Sequence, residues 1–162
     1  MSVAVLGWRL ASTADVPALA ALYGDAARTL GPQVYTPEQV QAWQSFAYDD
    51  EGFRRYVLEA TTWIAAGGDG DAPLGFCGIA LHGGCGEVHS LYVRAALSRR
   101  GIGTQLLAHA LAHARAAGAT RFEAWATPFS QPLFARAGFA LAASVVEPYR
   151  GVLFERYRMA AG

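Results

Sequence analysis

Three groups of residues in this sequence are of types that do chemistry. Glu87 and His89 stand two positions apart in a β-rich stretch, Glu87–Val93, so both side chains leave the same face of a strand. A carboxylate can take up a proton, and so can an imidazole, whose ordinary pKa of about 6.5 suits base work near neutral pH. The second group is Arg99-Arg100-Gly101-Ile102-Gly103-Thr104, placed between that strand and a strongly amphipathic run. The first N–H groups of a helix have no internal partner and carry the positive end of its dipole, so a pyrophosphate fits there. Two glycines remove Cβ atoms where a ligand would touch backbone, and Arg94, Arg99 and Arg100 add cations. The loop is not a dinucleotide-binding fingerprint, because the third glycine is missing. It is not a Walker loop, because no Gly-Lys-Ser/Thr occurs. The third group, Cys77-x4-His82-x2-Cys85-x3-His89, contains zinc-ligand types at a spacing that matches no standard finger. The expectation there is a buried Cys77, an exposed loop at His82 and Cys85, and no metal.

Alternating patterns and turn residues predict the elements that must position these groups. A strand spans Ala4–Leu10, and Ser12 or Thr13 caps a helix whose apolar face is Val16, Leu19, Ala20, Leu22 and Tyr23. Thr36-Pro37-Glu38-Gln39 is a capping box with proline at the first helical position. Phe53–Glu59 reads as a short helix, and Thr61–Ala66, Leu74–Leu81 and Glu87–Val93 as strands. The glycine-rich segment 67–73 joins the first two of these three, and His82–Gly86 is a hairpin loop between the others. A helix from Ile102 to Ala117 carries the stripe Ile102, Leu106, Leu107, Ala110, Leu111 and Ala114, and Gly118 ends it. Then come a strand at Arg121–Ala126, a helix at Pro128–Ala137 and two strands, Phe139–Val146 and Val152–Met159, with a turn at Pro148–Gly151. This order is that of an α+β domain built on one central sheet.

The bulk composition narrows the function classes. At 162 residues, 53% hydrophobic and 16% charged, the chain suits a single globular domain, residues 1–162. A formal net charge of zero argues against a nucleic-acid partner and gives no attraction to an anionic membrane. Two cysteines do not make a disulfide framework, the start lacks a signal-peptide pattern, and no apolar run reaches membrane-spanning length. A cytoplasmic location is the expectation.

Leu91-Tyr92-Val93, then seven residues, then Gly101-Ile102-Gly103-Thr104-Gln105-Leu106-Leu107, resembles the acetyl-CoA motif of the GNAT superfamily of N-acetyltransferases. Pro132-Leu133-Phe134-Ala135-Arg136-Ala137-Gly138-Phe139 resembles that superfamily's penultimate helix and Gly-Phe turn. Tyr35-Thr36-Pro37-Glu38-Gln39 with Trp43, and Arg150-Gly151 before Phe154 and Met159, are similar to the YafP-like bacterial subgroup, which extends the resemblance over nearly the whole chain.

The resemblance implies a three-layer α/β/α sandwich around a mixed, mostly antiparallel sheet of about six or seven strands. It implies acetyl-CoA as cosubstrate, no metal, and direct attack on the thioester by a primary amine of a small molecule or peptide. Backbone groups of Leu91, Tyr92 and Val93 would pair with the pantetheine arm, and N–H groups from Arg99 to Thr104 would hold the pyrophosphate. The family pattern opens with Gln or Arg where Ser98 stands, so Arg99 or Arg100 would supply that contact. Glu87 occupies the position of a catalytic glutamate in several members, with His89 as the other candidate base. The family's usual tyrosine acid is replaced by Phe134, a candidate cofactor contact that has no proton to donate, and its asparagine by Thr127. Tyr92, Tyr149 and Tyr157 are candidate substitutes. These departures motivate an alternative, a catalytically weak sensor or regulator that binds CoA or acetyl-CoA. Tyr35, Trp43 and Phe46 form a candidate aromatic wall for the acceptor, and Asp49-Asp50-Glu51 a solvated acidic loop. Edge strands near the C-terminus would allow a homodimer.

Overall fold

The computed structural model describes residues 5–67 and 72–162. In chain order the elements are β1 Val5–Leu10, α1 Val16–Leu30, α2 Pro37–Ser45, α3 Asp50–Leu58, β2 Thr61–Gly67, β3 Ala72–His82, β4 Cys85–Val93, α4 Ile102–Ala116, β5 Arg121–Ala126, α5 Gln131–Arg136, β6 Ala140–Tyr149 and β7 Val152–Ala161. The strands form one seven-stranded sheet in the order β1-β2-β3-β4-β5-β7-β6. Neighbours are antiparallel except β4 and β5, which are parallel because α4 carries the chain back over the sheet between them. The mixed α+β sandwich expected from the sequence is therefore present, with seven strands and five helices among the described residues. No described helix is long and apolar enough to cross a membrane.

Each sheet face buries its own core. The stripe of α4, including Leu106, Leu107 and Ala110, packs on Cys77, Ile79, Val88 and Phe122 of the sheet and on Phe134 of α5. On the other face, Leu19 and Tyr23 of α1, Trp43 of α2 and Phe53 of α3 pack on Ile64 and Phe76. The helix starts follow local chemistry. Thr36 accepts from the N–H of Gln39 at 3.2 Å, and Gln39 returns the contact by accepting from the N–H of Thr36 at 2.9 Å, which opens α2 as predicted. A 3₁₀ turn at Thr13–Asp15 precedes α1, where Asp15 accepts from the N–H of Ser12 and takes both guanidinium nitrogens of Arg9 at 2.8 Å. Those bonds hold the Asp15 carboxyl down at about 2.

Three local readings are corrected. The five-residue loop at His82–Gly86 is a two-residue turn, because Gly83 and Gly84 both take positive φ (55° and 80°) and let β3 and β4 pair to His82–Cys85. The last hairpin turn is likewise short: Arg150 (φ 50°) and Gly151 (φ 82°) make it, so Pro148 lies within β6, an edge strand where a missing N–H is tolerated. The helix predicted from Pro128 begins at Gln131, because the Thr127 hydroxyl accepts from the N–H groups of Phe129 and Ser130 and holds a turn there. Of the 67–73 connection, Gly67 pairs with Ala72 across the hairpin, and residues 68–71 lie outside the described residues, as does Ala4 of the first predicted strand.

Candidate active site

The site forms where two parallel strands part. β4 and β5 pair from Cys85↔Arg121 to Val88↔Ala124, and both strands then run on without pairing to each other, β4 to Val93 and β5 to Ala126. The sheet is thus split at its centre. Leu91, Tyr92 and Val93 stay paired on one side only, with Cys77, Phe76 and Gly75 of β3. Their other edge is open to an extended ligand arm that would pair with it as an added strand.

A β-bulge sets the geometry at the split. The register shifts between Gly78↔Ser90 and Ile79↔Val88, which leaves His89 as the extra residue. Two bonds absorb the irregularity. The N–H of Gly78 donates to the buried Ser90 hydroxyl at 2.8 Å, and the Tyr56 hydroxyl of α3 donates to the His89 carbonyl at 3.0 Å. The bulge keeps His89 beside Glu87, with Nε2 3.7 Å from the Glu87 carboxylate. Both side chains are about one-third exposed, at 33% and 37%, so solvent and ligand can reach them.

These two residues stand in the wall of a cavity of about 530 Å³. It is lined by α1 (Tyr23), α2 and its flanks (Tyr35, Trp43, Phe46), α3 (Tyr56), β4 (Glu87–His89, Tyr92), the end of β5 (Trp125, Ala126, Thr127) and the β6–β7 hairpin (Glu147–Tyr149, Phe154–Arg156). Half of the lining residues are aromatic. Tyr35 meets Trp43, Phe129 and Phe154 edge-on, with centroids 5.4–5.9 Å apart. Burial pushes the Tyr92 hydroxyl up, and its ring packs against those of Tyr23 at 4.7 Å, Trp43 at 6.3 Å and Phe76 at 5.5 Å. Burial also pushes the hydroxyls of Tyr23 and Tyr56 up, and that of Tyr35 to about 12. These phenols stay protonated at neutral pH.

The end of α4 lies beyond the split, after β4 and a 3₁₀ turn at Ala95–Leu97. The starts of α2 and α3 are capped by Thr36 and Asp49, whereas no side-chain cap bonds the start of α4 among the described residues. The starts of α1 and α5 likewise lack a side-chain cap bond among the described residues. The backbone before α4 is strained: Arg99 has φ 62° and Gly101 has φ 84°, and a left-handed arginine is the kind of cost stored at ligand-binding loops. The two glycines differ. A Cβ on Gly101 would meet nothing within 4 Å, so its need is conformational and its front is open. A Cβ on Gly103 would stand 2.8 Å from Leu133 Cδ1, so that glycine admits α5 against α4. The sequence suggested ligand contact for both.

The sequence matches the acetyltransferase (GNAT) family profile over residues 26–139, well over half of the chain. The chain belongs to the acetyltransferase (GNAT) family. No curated protein matches it significantly. Among solved structures it is similar to a GCN5-related N-acetyltransferase from Rhodopseudomonas palustris, with a TM-score of 0.86 and 24% identity over 99% of this chain and 98% of that one. It is also similar to the PaiA N-acetyltransferase from Thermoplasma acidophilum, solved with coenzyme A, with a TM-score of 0.76 and 15% identity over 99% of both chains. A third is yncA from Salmonella typhimurium, solved with its cofactor acetyl-CoA, with a TM-score of 0.63 and 19% identity over 99% of this chain and 93% of that one. At these identities the likeness establishes the fold.

Within this GNAT fold the remaining sequence candidates are placed as follows. Ser98 is half-buried, Arg99 and Arg100 are exposed, and Ile102 is in the core beneath α4. Phe134 is 2% exposed and packs against Phe139 at 5.2 Å, so it belongs to the core rather than to the cavity wall. Tyr92 and Tyr149 line the cavity, and Tyr157 packs on the α4-side core instead. The cysteine–histidine quartet does not assemble. Cys77 and Cys85 are both buried, burial pushes the Cys77 thiol up to about 12, and neither joins a group of possible ligands. The ligand atoms that do approach within 4.8 Å of one another among the described residues belong to His82, Glu87 and His89. The acidic run at residues 49–51 is a helix cap: Asp49 accepts from the N–H of Gly52 at 2.9 Å and pairs with Arg150 at 3.0 Å. Sequence reasoning missed Tyr56, Glu147, Glu155 and Arg156, which reach the site from α3 and the last hairpin.

Proposed function

We propose that this protein is an acetyl-CoA-dependent N-acetyltransferase acting on a primary amine of a small molecule or peptide by direct attack. The observation that carries this reading is the parting of β4 and β5 after Val88 and Ala124, with an open strand edge on one side and Glu87 and His89 at the mouth of a cavity on the other. The donor groups suit acetyl-CoA. The uncapped start of α4 with Arg99 and Arg100 offers N–H groups and positive charge to a pyrophosphate, and residues 91–93 offer an unpaired edge to a pantetheine amide.

In this reading Glu87, or His89 beside it, takes the proton of the bound ammonium directly or through water. The neutral nitrogen then forms a bond to the acetyl carbon, backbone N–H groups near Val93 polarise the carbonyl, and the carbon–sulfur bond breaks as the thiolate leaves to solvent. Phe134, buried and without a hydroxyl, donates no proton to that thiolate. This is the observation behind the second reading, a weakly catalytic sensor of CoA or acetyl-CoA. A thiol-release assay across an amine panel tests both: turnover with any amine removes the sensor reading, and tight acetyl-CoA binding without turnover removes the enzyme reading. We also propose that the chain falls in the YafP-like subgroup. Tyr35, Trp43 and Phe154, which belong to the motifs that suggested it, support this by meeting in one cluster on the cavity wall.

A further inference from the structure

We propose that the acceptor is a small monoamine with an aromatic or apolar body and no carboxylate of its own. The inference rests on the acetyltransferase reading above and narrows its acceptor. At about 530 Å³ the cavity falls within the size range of small-molecule sites. Its walls are rings that offer little hydrogen bonding to a peptide backbone: the Tyr23 ring packs on that of Tyr92 at 4.7 Å, and the Tyr56 hydroxyl is spent on the His89 carbonyl. An apolar body gains from burial against such walls, and a ring gains further from edge-to-face contact with Tyr35 and Trp43.

Charge selects the other end of the ligand. The lining carries three carboxylates, Glu87, Glu147 and Glu155, against one guanidinium, Arg156. Two of the three are engaged away from the split, with Glu147 3.7 Å from Arg156 and Glu155 accepting from the Ser144 hydroxyl at 2.9 Å. Arg156 is itself laid over the Trp125 ring, 4.6 Å from its centroid. Glu87 is left at the parting of β4 and β5, where a single ammonium would sit beside the base that must deprotonate it. A carboxylate on the acceptor would enter a site with an excess of negative charge. A second ammonium would meet Glu147 already paired with Arg156 and Glu155 already accepting from Ser144, both away from the split.

The test measures four probes on the full-length protein: 2-phenylethylamine, phenylalanine, cadaverine and an alanyl tripeptide. Binding to the CoA-loaded protein is read by calorimetry, and turnover with acetyl-CoA by thiol release. We expect 2-phenylethylamine to bind at least about tenfold more tightly than each of the other three and to have the highest kcat/KM. Trp43→Phe, or Tyr149→Ala at the cavity rim, should raise its KM and leave the acetyl-CoA affinity unchanged. Equal or tighter binding of phenylalanine, cadaverine or the tripeptide overturns the inference, as does binding of none of the four. If one of those three is acetylated best, the inference fails while the acetyltransferase reading stands. If 2-phenylethylamine binds preferentially and no amine is acetylated, the ligand class stands and the acetyltransferase reading fails.

Discussion

The start of α4 and the cavity at the split sheet sit at two ends of one candidate reaction path, and they are built in opposite ways. The first is contiguous: residues 98–104 supply a loop, two glycines and a helix end, and its chemistry lies in backbone N–H groups. The second draws side chains from three helices, two strands and a hairpin, spread from Tyr23 to Arg156. A backbone site tolerates variation in side chains as long as the turn is kept, so its character is set by general features of a helix end. A site of converging side chains takes its character from the particular rings and charges present, and that is where one acetyltransferase would differ from another.

The largest effect that separates the two regions is expected from Gly101→Glu. Gly101 has φ 84° and open space where a Cβ would project, so the variant sets a strained residue and a carboxylate where a pyrophosphate is proposed to lie. Acetyl-CoA affinity by calorimetry should fall at least about a hundredfold, or about 2.7 kcal/mol, while amine binding in the cavity is retained. Wild-type acetyl-CoA affinity would remove the phosphate role from this loop. Next in size is Glu87→Gln, which keeps the shape and removes the basic oxygen. Loss of a general base costs about 10²-fold or more, so kcat should fall by that order with acetyl-CoA affinity unchanged. A fall below about threefold would hand the role to His89, and His89→Gln would then carry the large loss.

The two glycines of the loop sharpen the same contrast. In Gly103→Ala the new methyl meets Leu133 Cδ1 at 2.8 Å, in the packing of α5 against α4. The expected result is a loss of about 1–3 kcal/mol in unfolding free energy, with acetyl-CoA affinity changed by less than about threefold. If binding collapses and stability does not, Gly103 lies against the ligand after all.

The contiguous region was the legible one. Thr36 and Gln39 announce the start of α2, the stripe from Ile102 to Ala114 announces α4, and glycines at 101 and 118 bracket that helix. In each case the signal and its structural result lie within a few residues. The cavity was half legible. Tyr35, Trp43 and Phe46 stood out as a cluster near one helix, whereas Glu155 and Arg156 read only as part of a late strand and Glu147 fell just past the end of another. Nothing near Val88 reveals the bulge, since His89 becomes the extra residue through its register with Gly78 and Ile79 and through a bond from Tyr56, 33 positions earlier. Long-range pairing of this kind has no local sequence signature.

A smaller effect concerns pH on the cavity side of the sheet. Asp15 holds Arg9 and the turn before α1, and its carboxyl lies at about 2 in place of the usual 3.8. A depressed folded pKa adds stability above the unfolded value, and that stability is lost as pH falls from about 4 through about 2. Arg9 is 38% exposed, so solvent screening reduces the contribution to about 1 kcal/mol. Asp15→Asn should therefore lower stability by that amount at pH 7 and by only a small part of it at pH 2, as measured by urea denaturation at both pH values. The chemistry at the start of α4 should be untouched, with equal acetyl-CoA affinity at pH 7.

The smallest expected effect tests whether the hairpin is a wall of the cavity or merely its neighbour. Arg150 donates to the Tyr149 hydroxyl at 3.1 Å, pairs with Asp49 at 3.0 Å, and lies over the Phe46 ring, 5.7 Å from its centroid. It therefore clasps the turn between β6 and β7 to the start of α3, across the top of the cavity. Both charges of the pair are more than a third exposed, at 37% and 42%, and such pairs contribute about 0–1 kcal/mol. Arg150→Ala should accordingly raise the KM for an amine acceptor by no more than about fivefold, with kcat and acetyl-CoA affinity unchanged. A change confined to KM would show that the hairpin shapes the acceptor end alone. An equal fall in kcat would mean that the clasp reaches through Tyr149 and Tyr92 to the bulge that holds Glu87 and His89, and that the two ends of the site are less separable than their construction suggests.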